Sequence, residues 1–141
     1  FETYLLILNV AGMEPGLFRY LPVDHALVRE GDAGGSLPER ITAATFGQSF
    51  IGKAAAVFVW ATLPHRMEWR YGLASHKVIA LDAGHVCQNL YLACEAVGAG
   101  TCAIAAYDQN AMDRLLGVDG RDEFTVYLAP VGKVEPEHAT A

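Results

Sequence analysis

The chain has 141 residues, 52% hydrophobic and 18% charged, with a formal charge of −6, which fits a single domain over residues 1–141. So apolar a small domain is expected to bury surplus surface against a second subunit. Its ten lysines and arginines form no cluster, which excludes a phosphate-neutralising nucleic-acid interface, and no apolar stretch approaches the roughly 20 residues of a membrane-spanning helix.

Residues 3–10 are a continuous apolar run of strand length, expected as a central strand. They follow neither a basic start nor a methionine, so the segment is no leader, and a chain that opens on a buried strand is expected to lack residues upstream. Glu14-Pro15-Gly16 is turn chemistry. Two short segments around Pro22, 17–20 and 25–28, predict a hairpin at the sheet edge. Residues 31–36, rich in glycine, predict a surface loop. Ser36 with Glu39 has the spacing of a capping box, which predicts a short helix from Pro38 to Phe46.

Residues 54–62 predict a second buried strand, and Pro64 starts a short helix that ends near Tyr71-Gly72. Residues 75–97 carry the longest helical pattern, with Val78, Leu81, Val86, Leu90, Ala93 and Val97 at helical spacing. Ile79, Ala83, Cys87 and Cys94 make much of its remaining surface apolar, as in a helix buried in a core or an interface. Gly98-Ala99-Gly100 stops it. A strand over 101–105, a helix from Asp108 to Leu116 capped by Asp108, a last strand over 124–131 and a polar tail to Ala141 complete an α+β arrangement: a mixed sheet with a long central helix.

Cys87, Cys94 and Cys102 form neither a disulfide framework nor a zinc spacing and read as reduced core thiols of a cytoplasmic protein, with no metal site. His85 reads as a hydrogen-bonded interior histidine, since Asn89 rather than a metal ligand stands at i+4. Gln88 and Asn89 on an apolar helix call for partners, in the backbone or across a subunit interface.

Three stretches carry a family resemblance. Glu2-Thr-Tyr-Leu, Pro15-Gly-Leu-Phe-Arg-Tyr20 and His25-Ala-Leu27 resemble a first strand and hairpin. Leu81-Asp-Ala-Gly-His-Val-Cys-Gln-Asn-Leu90 resembles the start of a central helix. Gly98-Ala-Gly-Thr-Cys-Ala-Ile-Ala-Ala-Tyr-Asp108, with Leu115-Leu-Gly117 and Tyr127-Leu-Ala-Pro-Val-Gly132, resembles a C-terminal flavin segment. The family is the nitroreductase-like flavoproteins, and within it the SagB-type dehydrogenases that oxidise thiazolines and oxazolines.

The resemblance implies a nitroreductase-like fold, an intertwined homodimer and FMN as cofactor. It implies an oxidoreductase that moves a hydride between flavin and a small-molecule or modified-peptide substrate, with other subunits of a modification complex as further partners. It sets the Ala105-Ala106 backbone against the flavin ring, where small side chains permit close approach. It sets Lys133 near the FMN phosphate, while the family's N-terminal Arg-Ser-x-Arg segment is missing here. Arg70-Tyr71 falls where azole-forming members carry a Lys-Tyr pair in proton removal. Arginine is a poor base, which leaves Tyr71 as the proton-transfer candidate. Two alternatives stay open: a nitro or flavin reductase fed by NAD(P)H, and a catalytically inactive partner domain.

Overall fold

A computed structural model describes residues 1–31 and 35–134. The loop expected over 31–36 therefore falls partly outside the described residues, and the tail beyond 134 falls wholly outside. Six strands, β1 (Glu2–Ile7), β2 (Gly16–Leu21), β3 (Ala26–Gly31), β4 (Ala56–Thr62), β5 (Ala99–Thr101) and β6 (Phe124–Lys133), form one sheet in the order β3-β2-β1-β4-β6-β5. Helices α1 (Leu37–Ala44), α2 (Ser49–Gly52), α3 (His65–Tyr71), α4 (Ser75–Ala96) and α5 (Gln109–Leu116) connect and cover it, with a 3₁₀ turn at Gly72–Ala74 between α3 and α4.

The α+β class and the long helix stand as expected, but every strand pairing is antiparallel rather than mixed, because neighbours alternate direction across the whole sheet. Strand β4 lies at the centre, bonded along its length to β1 and β6. Val57, Val59 and Ala61 face a core shared with Leu6 and Leu128 and closed by Ile41 of α1, Ile51 of α2 and Met112 and Leu115 of α5. Trp60 turns to the other face and packs with Cys87 of α4 and Ala129. Each large apolar side chain buried this fully contributes about 1.5–3 kcal/mol.

Helix α4 meets the sheet through a narrower stripe than its composition suggests. Ile79, Ala83, Cys87 and Cys94 are buried, whereas Leu81, Leu92 and Val97 are exposed. Of the expected stripe, Val86 and Leu90 do pack toward Trp60 and Val78 is half-buried, whereas Leu81, Ala93 and Val97 face outward. Small residues face the sheet because Trp60 and Tyr127 already fill the space beneath it. No helix among the described residues is long and apolar enough to cross a membrane.

Other departures are local. Ser36 occupies the N-cap position of α1 but makes no side-chain capping bond. Helix α2 is a single turn, too short for a periodic signal. Strand β5 ends at Thr101 rather than running on to Ala105. Asp108 does cap α5, accepting the Ala111 N–H at 2.7 Å. The buried Asp113 ties α5 to β6 by accepting Thr125 N–H at 2.7 Å and the Gln109 amide at 3.0 Å. Burial, with the Asp113 charge beside it, pushes the Tyr107 phenol up to about 12.

An ion cluster joins β1 to α3. Glu2 accepts hydrogen bonds from Arg19 and from Arg66, each with a contact of 2.6 Å. Partial burial pushes the Glu2 carboxyl up, but the two arginines outweigh it and hold it below 4.5. A depressed carboxyl stabilises the fold above its unfolded value and loses that contribution as pH falls through the folded one. Glu2→Gln should therefore cost about 1 kcal/mol at pH 7, a modest figure because the arginines are partly exposed. In urea unfolding the gap from the wild type should narrow as pH falls below the usual carboxylate range. A gap of the same size at pH 3 would assign the loss to packing instead.

Candidate functional site

The β5–β6 ladder ends where Thr101 pairs with Val131. Cys102 and Ala103 leave the edge, and Ile104 returns to it as an isolated bridge with Leu128. Ile104 N–H donates to Leu128 O at 2.8 Å, and Leu128 N–H donates back at 3.3 Å. The Tyr91 hydroxyl of α4 holds the preceding Ala103 N–H at 2.8 Å. On the far side, Gln48 donates to Ala106 O at 3.0 Å and Asp108 N–H donates to Ala44 O at 2.8 Å.

Between these anchors Ala105 and Ala106 are exposed, and among the described residues their N–H groups have no partner. A trans peptide is planar, with its C=O and N–H pointing opposite ways. Since Ile104 O points at Leu128, the Ala105 N–H points away from β6, outward from the sheet edge. The segment thus offers backbone donors with only methyl groups beside them, the surface a planar polar ring can approach.

Lys133 stands elsewhere on the same edge, paired with Ala99. It lines a cavity of about 860 Å³ together with Lys53, Asn9 and Phe50. Two ammonium groups in one cavity suit a phosphate dianion. Ala105 and Ala106 do not line it. Lys133 lies five positions beyond Leu128 on β6, roughly 17 Å at the rise of a strand.

Arg70 and Tyr71 end α3, both exposed, with the Arg70 guanidinium 5.4 Å from the centre of the Tyr71 ring. They line neither this cavity nor the second one, of about 680 Å³, bounded by His65, Glu68 and His76. The predicted residues therefore occupy three separate places: the alanine segment, the lysine cavity and the end of α3. His85, Gln88 and Asn89 are exposed on α4, which corrects the interior reading of His85 and leaves the two amides outside the core. Cys87 and Cys94 are core thiols, pushed up by burial, but Cys102 is exposed.

Sequence reasoning passed over Lys53, Gln48 and Tyr91. Gln48 and Tyr91 act through contacts remote in the chain, and Lys53 meets Lys133 only in the folded cavity; none sits in a motif of its own.

The sequence pattern of the Nitroreductase family matches residues 5–133. A protein of Methanocaldococcus jannaschii carrying a nitroreductase name is 30% identical over 132 residues, which is 94% of this chain and 64% of that protein. The chain thus spans just under two thirds of that curated relative. A solved structure from Anabaena variabilis, also described as a nitroreductase, superposes with a TM-score of 0.84 at 21% identity, covering 92% of this chain and 26% of its own. A chain of the E. coli microcin synthetase McbBCD complex with truncated pro-MccB17 bound superposes with a TM-score of 0.82 at 18% identity, covering 96% and 52%. NADPH:FMN oxidoreductase from Vibrio harveyi, complexed with NAD+, gives 0.58 at 20% identity, covering 72% and 51%. At such identities these structures speak for the fold.

Proposed function

Because the chain belongs to the nitroreductase family, we propose that it is an FMN-dependent oxidoreductase whose flavin ring lies against the Ala105-Ala106 backbone. The observation that carries this reading is the pinned, exposed Ala105 N–H, an outward donor at a sheet edge with no side chain in its way. Bound there, the flavin would accept a hydride at N5. The protein's share is binding, orientation and proton handling. Lys133, with Lys53 beside it, would hold the phosphate. Given the roughly 17 Å of strand between the two places, one cofactor meets both only if its ribityl chain runs along the β5–β6 edge.

The finer reading is a SagB-type dehydrogenase acting on a modified peptide. Such a substrate loses a hydride to the flavin and a proton to a base, and an azoline ring becomes an azole. It is supported by the resemblance of residues 81–90 and 98–108 and by the likeness to a chain of a complex that holds truncated pro-MccB17. Tyr71 would take the proton, with Arg70 favouring the phenolate by its charge. The functional unit would be a homodimer, because Leu81 and Leu92 stand exposed on one side of α4.

Three measurements test this. Titration with FMN should give flavin bands at saturation. Lys133→Ala and Lys53→Ala should each weaken FMN binding by about 1–3 kcal/mol, as for a charge-assisted hydrogen bond. Unchanged dissociation constants in both variants would move the phosphate out of this cavity. Tyr71→Phe should slow substrate oxidation at least tenfold, within the roughly 10²–10⁴ typical of acid–base groups, with FMN content unchanged and Arg70→Lys active. A wild-type rate in Tyr71→Phe would leave the pair no catalytic role. Sedimentation at micromolar concentration should show a dimer, and Leu81→Glu with Leu92→Glu should dissociate it. A folded wild-type monomer would refute the dimer.

A further inference from the structure

The Gln48 side chain bridges two carbonyl oxygens, Thr45 O at 2.9 Å and Ala106 O at 3.0 Å, the second lying 58 positions along the chain. Carbonyls only accept, so the NH₂ end of the amide must face both, and its two N–H groups are both used. The contact reaches the Ala105-Ala106 segment, whose backbone donors are open among the described residues.

The peptide planes along this stretch show what the contact does. Ile104 O, held by Leu128 N–H, fixes the plane of the 104–105 peptide. Ala106 O, held by Gln48, fixes the plane of the 106–107 peptide. The 105–106 peptide lies between them and has no bond of its own among the described residues. With both neighbours fixed it has one orientation. If the Gln48 bond is removed, the next anchor is Asp108 N–H on Ala44 O, and two consecutive peptides are then free to swivel together. A flip would turn the Ala106 N–H away and present a carbonyl in its place.

The turn that delivers Gln48 is built at a cost. Phe46 has φ of 54° and Gly47 has φ of 82°. A phenylalanine in the left-handed region costs of order 1–3 kcal/mol, and at 68% exposure this one recovers little by burial. Strain of this kind persists where the surroundings use the conformation. Here it reverses the chain after α1 so that the next side chain reaches across to Ala106.

We infer that Gln48 is a positioning residue that locks the 105–106 peptide, and with it the unpartnered Ala106 N–H, in one orientation. The inference about the lock stands on the hydrogen bonds; its consequence for redox chemistry rests on the flavin reading above. The test uses Gln48→Glu, nearly isosteric but with acceptors facing two carbonyls, and Gln48→Leu, which removes the bond without adding charge. In protein without flavin, the ¹⁵N order parameters of Ala106 and Tyr107 should fall from about 0.85 to below about 0.6 in both variants, while that of Ala105, held through Leu128, should not. The order parameters of Ile104 and Leu128 should stay unchanged. With FMN, the preference for reduced over oxidised flavin should drop about tenfold, equal to a potential lower by about 30 mV for two electrons. Rigid Ala106 and Tyr107 amides in both variants would overturn the lock. Mobile amides with an unchanged flavin preference would confine Gln48 to ordering the backbone and overturn its redox role. If the wild type binds neither form of FMN, the flavin reading falls, and the order parameters still decide whether Gln48 holds the segment.

Discussion

The two hydrogen bonds exchanged between Ile104 and Leu128 are the constraint on which the site depends. Among the described residues they are the backbone bonds that return the chain to the sheet after β5 has ended. Their strength comes from what stands behind them. Leu128 is fully buried and pairs with Val59 of β4, also fully buried, which in turn pairs with Tyr4 of β1. Moving the bridge would therefore disturb three strands of close-packed core, where even one methylene of displacement is felt. A short exposed segment hung from such a bridge inherits its rigidity, as binding loops do on a stiff scaffold.

Helix α4 joins this site to the open surface of the molecule. One stripe of small residues lies on the sheet, and the opposite side presents leucines to solvent. Tyr91 stands between the two regions, its hydroxyl on Ala103 N–H one position before the bridge. A partner seated on the open face of α4 would press on the same helix that steadies the start of the alanine segment.

What could be read from the sequence follows the reach of each signal. The 22-residue α4 was legible to within a residue at its C-terminal end, because a long apolar period has few alternatives. Strand β4 and the β2–β3 hairpin were legible from an apolar run and from turn chemistry. The angular position of α4 was not, since which of two apolar stripes is buried depends on the bulk of Trp60 and Tyr127 across the interface. The boundary of β5 was missed because the break at Cys102-Ala103 comes from the tertiary bond to Tyr91 rather than from a breaker residue. Ala105 and Ala106 were found through resemblance alone; two alanines in an apolar stretch carry no chemistry by themselves. Gln48 was invisible because its partner lies 58 positions away.

Strongly shifted ionisable groups often mark catalytic sites, yet here they mark construction. The lowered Glu2 carboxyl ties β1 to α3, the raised Tyr107 phenol sits over the Asp113 node, and the raised Cys87 and Cys94 thiols are packed under α4. Their titrating atoms bond or pack elsewhere: even Tyr107, next to Ala106 of the alanine segment, turns its hydroxyl to Thr125 O. What the segment offers instead is peptide N–H, held by an amide and by backbone carbonyls. Such groups do not ionise near neutral pH, but they keep a fixed dipole where charge develops, and a preorganised dipole costs no rearrangement at the moment of reaction. A site of that composition cannot run acid–base or nucleophilic chemistry unaided. It suits a bound group that brings its own reactivity and requires only to be held and polarised, which is the division of labour expected between a flavin and its protein.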